Sequence, residues 1–475
     1  MTAICSPALF CLNHNFMRQG GRQDTPVRPP RVLRKRSGKC GRYGKKGSQK
    51  MQVFKNAALR KCKRTESGAE LYDLFVENGV FNRICPAGEV SIPESAEIKD
   101  LHGRLVMAPY VESHIHLDYI YTMDPSVEAG TLFGAINQWS DSKKMLTVED
   151  IKKKAYQGIE MEMRHGVQFI RTHVDVTDPD FTALRALLEV KEELKDIVEI
   201  QLIAFPQEGY YAYKNGDQLV EEALKMGCDV VGGIPHFEFS RELGEKSVRK
   251  AFELAQKYDR LVDIHCDETD DQDSKFVEEI ATQAYYTGIG SRAAASHTCA
   301  MGSYNNAYAY KMMTKFRQSG INFISCPTEN TYLQGRYDGY PMRRGLTRID
   351  ELIAAGCNVS LGQDSISDPW YPLGNGNLIH QVDYAIHQAH MMSIPQLYKC
   401  LDMITDNGAA TLQIQDHYGI EAGKPANLIE LDAKNEIEAV RERADVLLSV
   451  HNGRILLEKE PSAIRIDLPI HGNDR

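Results

Sequence analysis

The chain has 475 residues, a net charge of −9, 42% hydrophobic and 25% charged residues, which is ordinary globular composition with material for one large domain and a smaller one. Eleven Cys run from Cys5 to Cys400 with no Cys-x-x-Cys pair, arguing against a disulfide framework or a cysteine zinc site and for a reducing, cytoplasmic setting. No run approaches the roughly 18 apolar residues of a membrane span, and the N-terminus lacks the basic-then-apolar order of a secretory signal.

The charge is uneven. Residues 1–50 hold twelve Lys/Arg against the single acid Asp24, a net +11 that leaves −20 on the other 425 residues. An acidic body without a basic stripe speaks against nucleic acid as the partner and for a small molecule. The basic arm reads in three ways: a targeting segment, a nucleic-acid-binding tail, or translated upstream sequence with Met51 as the true start. The last is favoured, because the arm shows no amphipathic period and the alternating pattern of a folded chain begins only after Met51.

In chain order, short strands and turns are expected from about Ala69 to Met107: Leu71–Gly79 with a hairpin turn at Asn78-Gly79, then residues 88–92, then Gly103–Met107. Next comes Val106-Met-Ala-Pro-Tyr-Val-Glu-Ser-His-Ile-His-Leu-Asp118, where His114 and His116 fall on one face of a strand. Strands are then predicted at Val167–Val176, Ile200–Pro206, Val230–Pro235, Leu261–Asp267, Arg292–His297, Ile321–Pro327 and Asn358–Asp364. Between them lie helices such as Val148–Arg164, capped by Thr147-x-x-Asp150, Phe181–Leu194, Leu219–Lys225, Glu245–Tyr258 and Ser274–Tyr286.

Eight strand–helix alternations in about 250 residues are the pattern of a (β/α)8 TIM-type barrel. A doubly wound open sheet competes less well without a Gly-x-Gly-x-x-Gly turn after the first strand. Further strands at Ala426–Leu431 and Ala444–Leu457 are expected to pair with those before the barrel. The domain reading is thus an arm at 1–50, a composite β-sandwich domain from 51–107 and 420–475, and a metal-dependent barrel at 108–419.

In such a barrel the chemistry sits at the C-terminal strand ends. Strand one ends in His114 and His116, strand five in Asp263-Ile-His-Cys-Asp-Glu268, strand six in Ser296-His297, strand eight in Gly362-Gln-Asp364. His114, His116, His265 and Asp364 make an N3O set for one Zn2+ or Fe2+ with a position left for water. Strand four carries no Lys that could be modified to bridge two metals, so one ion per subunit is expected. Asp364 is placed to take a proton from that water and His297 to orient it. Glu268 reads as a proton shuttle to a ring nitrogen and the leaving ammonia, or else as a solvated acid among Asp267, Asp270 and Asp271.

The motifs Glu112-Ser-His-Ile-His-Leu-Asp118, Phe205-Pro-Gln-Glu-Gly209, Ile234-Pro-His-Phe-Glu238, His265-Cys-Asp-Glu268, Ser296-His-Thr298, Leu333-Gln-Gly-Arg336 and Asp368-Pro-Trp-Tyr-Pro-Leu-Gly374 resemble the bacterial cytosine deaminases of the amidohydrolase superfamily. The resemblance implies the same ligands, Glu268 as shuttle, His297 as water partner, Gln207 as the amide that reads the ring's carbonyl and N–H, and a homo-oligomer. It also implies that Phe205 and Trp370 wall the ring, although an aromatic at either place also fits core packing.

One departure concerns the substrate. The family usually has a second Asp after the metal-binding Asp, whereas here Ser365 follows Asp364, which changes charge, volume and hydrogen bonding beside the ring. Cytosine deamination to uracil is the leading expectation. Creatinine, 5-methylcytosine and isocytosine fit the same attack. A cyclic amide hydrolase, a catalytically dead barrel kept for binding, and a base-editing enzyme are the rival classes. The missing strand-four Lys, the complete ligand set and the acidic body argue against them in turn.

Overall fold

The computed structural model describes residues 50–65, 68–124 and 131–466. Among them, eight parallel strands lie side by side in chain order: β1 Tyr110–Ile115, β2 Val167–Asp175, β3 Glu199–Phe205, β4 Val230–Val231, β5 Leu261–Cys266, β6 Ala293–His297, β7 Asn322–Ser325 and β8 Asn358–Leu361. The barrel closes where the ligand-bearing segments meet. Asp364 N–H donates to His114 O at 2.8 Å and His116 N–H donates to Asp364 O at 3.0 Å, so β1 pairs with the residues just past β8. Gly362 is required at this seam, because a Cβ there would stand 2.6 Å from both His114 Cβ and His114 O.

Helices pack around the strands for the reasons legible in the sequence. Val148–Arg164 has the full Thr147/Asp150 capping box, and buries Ile151, Ala155, Ile159 and Glu162 along one stripe. Three helices start earlier or later than expected, at Gly216, Arg241 and Phe276. β4 is shorter than its predicted Val230–Pro235 span: Gly232 passes so close to Ala204 O that a Cβ would lie 2.6 Å from it, and Pro235 opens a 3-10 turn through Phe237.

Strands from both chain ends build a second sheet. In spatial order these are Arg454–Glu458, Val446–His451, Leu428–Leu431, Leu105–Met107, Gln52–Leu59, Tyr72–Glu77 and Val80–Pro86, with Glu97–Asp100 also beside Gln52–Leu59. The turns at Asn78-Gly79 and Asn452-Gly453 have the two successive positive φ values of tight hairpins. Phe54, Leu74, Phe81, Leu428 and Leu448 fill one face. The expected strand at residues 88–92 is corrected: these residues form a turn and bend, and Val90 and Ile92 pack as a cover over Val53, Phe75 and Cys85 on the other face. Residues 1–49, on which the reading of the basic arm turns, lie outside the described residues. Among those described, no helix is long and apolar enough to cross a membrane.

Candidate active site

Four side chains from three strand ends converge at the C-terminal mouth of the barrel. One ligand atom each of His114, His116, His265 and Asp364 lies within 4.8 Å of all the others, and all four residues are buried. His114 Nε2 is 3.4 Å and His116 Nε2 3.7 Å from Asp364 Oδ1, and the Nε2 atoms of His116 and His265 face each other at 3.1 Å. Burial, and then the neighbouring imidazoles, press His265 well below its ordinary range; burial does the same to His116. Neutral imidazoles facing one another and a carboxylate present lone pairs to one point, which is the donor set of a divalent-cation site. Burial pushes Asp364 up, but His114, His297 and His116 more than offset it and hold the carboxyl below the ordinary range, so it stays anionic.

The surrounding groups fix these rings. Ser296 Oγ donates to Asp263 Oδ1 at 2.7 Å and lies 3.0 Å from His114 Nδ1. The hydroxyl is left to accept from Nδ1–H, which turns the lone pair of Nε2 toward the cluster. Asp263 is in turn paired with the buried Arg171 at 3.2 Å. Glu112 accepts from His114 N at 2.8 Å and from Gln363 N at 3.0 Å, tying both ligand-bearing segments to one carboxyl. Phe205 stacks on His265 with ring centroids 4.1 Å apart, and Tyr119 stacks on His116 at 4.4 Å.

A small, narrow pocket lies beside the cluster, lined by Tyr119, Leu132, Gln207, Ile234, His265, Glu268, Glu329, Asp364 and Trp370. Gln207, Glu268 and Trp370 of the expected substrate and proton-transfer residues are on this wall. Gln207 Oε1 is buried without a hydrogen-bond partner. Burial, and then the charge of Asp364, push Glu268 well above the carboxylate range. His297 stands behind them, with Nδ1 3.7 Å from both Glu268 Oε1 and Asp364 Oδ2, and burial presses it down to about 3.

Phe205 and Ser365 are fully buried and are not part of the cavity wall. Phe205 supports a ligand ring instead. Ser365 Oγ faces the carboxyls of Glu329 and Asp368, holding each back from a larger upward shift. Several residues were not singled out from sequence. Tyr119, Leu132, Ile234 and Glu329 line the cavity, and Asn330 Nδ2 donates to Glu268 Oε1 at 3.2 Å. His173 Nε2 stands 3.1 Å from His114 Nδ1. Glu329 and Asn330 follow the predicted end of β7, and Tyr119 follows that of β1, which was the available signal.

The chain is similar to several known proteins. The 5-methylcytosine deaminase of Klebsiella pneumoniae, solved with 5-fluorocytosine bound, is 48% identical and superposes with a TM-score of 0.83, covering 87% of this chain and 99% of that one. The N-isopropylammelide isopropyl amidohydrolase of Pseudomonas sp. strain ADP is 29% identical over 377 residues, 76% of this chain and 88% of the relative. The pterin deaminase of Rhizobium rhizogenes is 25% identical over 413 residues, 84% of this chain and 90% of that protein. The profile of the amidohydrolase family (Amidohydro_3) matches residues 97–457, and the chain belongs to that family.

Proposed function

We propose that this protein is a metal-dependent hydrolase that deaminates 5-methylcytosine to thymine and ammonia. The observation that carries the reading is one small pocket whose wall holds a primary amide, Gln207, a buried carboxyl, Glu268, and two members, His265 and Asp364, of a four-residue cluster able to hold a metal ion. The 48% identity to a 5-methylcytosine deaminase supports the choice of ring. So do Ser365, where the cytosine deaminases usually carry Asp, and the apolar surface of Leu132, Ile234 and Trp370, which accommodates a methyl group.

His114, His116, His265 and Asp364 would hold the ion, either Zn2+ or Fe2+. When bound, the ion supplies a Lewis acid that lets water lose a proton near neutral pH. Asp364, with Oδ2 unpartnered, takes that proton, and His297 orients the water from the far side. Gln207 holds the ring by its carbonyl and adjacent N–H, since a primary amide donates and accepts at once. Glu268 gives its proton to the ring nitrogen as water oxygen bonds to the amino-bearing carbon. It takes up the proton of the added hydroxyl and passes it to the amine nitrogen as the C–N bond breaks and the C=O forms, so that ammonia leaves, and the proton held by Asp364 restores the Glu268 acid.

The test is ammonia release by protein reconstituted with Zn2+ or Fe2+, on 5-methylcytosine, cytosine, isocytosine and creatinine. 5-Methylcytosine should have the highest kcat/KM, by about tenfold or more over cytosine, the value of one methyl group in an apolar pocket. Metal-stripped protein should release none. A clear preference for cytosine or creatinine would overturn the choice of ring, and no turnover of any of the four would overturn the reading altogether.

A further inference from the structure

The cavity wall carries three acids, Glu268, Glu329 and Asp364, and the chemistry above uses two of them. Glu329 lies in the short helix Pro327–Leu333 that follows β7. It is 2% exposed, and its Oε2 is buried without a hydrogen-bond partner. Among the described residues no Lys, Arg or His pairs with it. As an anion, an acid buried beside Glu268, Asp364 and Asp368 with no cation is costly, and a hydrogen-bond donor entering the pocket would lower that cost.

Ser365 explains why the position is open. Its Oγ faces the Glu329 carboxyl but makes no hydrogen bond of ordinary geometry. A longer side chain at 365 would occupy the space into which Glu329 reaches. With the amide edge of the ring assigned to Gln207 and the ring nitrogen to Glu268, the N–H donors left on an aminopyrimidine are those of the exocyclic amine.

We propose that Glu329 is a specificity-determining residue that accepts a hydrogen bond from the substrate's exocyclic amino group and keeps that group beside the carbon under attack. The assignment rests on the deaminase reading above. In effect the recognising carboxyl comes from the end of β7, and the small Ser365 after β8 leaves room for it.

The test compares Glu329→Leu and Glu329→Gln with the wild type at matched metal content. Two readouts are needed: kcat/KM on 5-methylcytosine, and the inhibition constant of 5-methylpyrimidin-2-one, which carries hydrogen where the substrate carries its amine. Glu329→Leu should lower kcat/KM by about 10- to 100-fold, the value of one hydrogen bond to an acid group. Glu329→Gln, which keeps an acceptor oxygen, should recover part of that loss, and the inhibitor should bind each variant within about threefold of the wild type.

If Glu329→Leu leaves turnover intact, the assignment is overturned. Equal loss of turnover and inhibitor binding would also overturn it, by showing a role in shaping the cavity. A wild-type protein that turns over none of the four substrates would remove the deaminase reading and this assignment with it, a result seen before any variant is made.

Discussion

At the scale of single residues, the site is a set of buried imidazoles whose ring nitrogens are aimed by their neighbours. Asp364→Asn should therefore cost metal rather than fold, since its carboxylate is the only anion in the ligand set. Metal content measured on the purified variant should fall well below one ion per chain while the far-UV spectrum is retained, and a fully loaded Asp364→Asn would contradict the ligand assignment. The residues that sequence exposed are those whose chemistry is specific at a strand end: two His at alternate positions, the His265/Glu268 pair, and the Asp of Gly362-Gln-Asp364. Glu329 was hidden because an acid in a short helix ordinarily faces water, and only tertiary packing buries it. Phe205 was expected from the family resemblance to wall the substrate, with core packing as the alternative. The strand instead turns its ring onto His265.

At the scale of elements, carboxylates buried near the mouth act as staples between loops. Glu238 accepts from Tyr210 N at 2.6 Å and Ala212 N at 2.9 Å, fixing the loop that carries Gln207. Glu238→Ala should raise KM more than it lowers kcat, and an unchanged KM would show that the loop holds its shape alone. Glu112→Ala should be more severe, because it strips both the His114 and Gln363 amides. A loss of about 2–4 kcal/mol in unfolding free energy, together with lost metal, is expected from denaturant titration. The helix capped by Thr147 and the hairpin at Asn78-Gly79 were readable because their signals are local. The two-residue length of β4 was not, because it depends on how closely Gly232 passes Ala204.

At the scale of the whole molecule, the sheet built from both chain ends is joined to the barrel by polar contacts as well as packing. His451 Nδ1–H donates to Gln168 Oε1 at 2.8 Å, and the Gln168 amide donates to Ser449 Oγ and Val450 O at 2.9 Å. Burial presses the His451 imidazole down to about 4. Between that value and about 6.5 the unfolded chain binds the proton that the folded chain refuses, so stability is retained above about pH 6.5 and lost as pH falls toward 4, by up to about 3 kcal/mol. His451→Asn should flatten that part of the profile of denaturant midpoint against pH, and an identical slope in the variant would assign the acid loss to other groups. The barrel was legible from alternation because each strand and helix is periodic over its own length. The pairing of Leu428–Leu431 with Leu105–Met107 joins segments more than 300 residues apart. It was foreseen only as pairing between the two ends, without order or register.

The claim at the centre of this account is that Glu268 carries the proton between the ring nitrogen and the leaving amine inside a metal-holding cavity. The most direct measurement is the rate of ammonia release from 5-methylcytosine by Glu268→Gln, loaded to the same metal content as the wild type. The account predicts a loss of about 10²–10⁴-fold in kcat with the ion still bound. Activity within a factor of about two of the wild type at equal loading would contradict it.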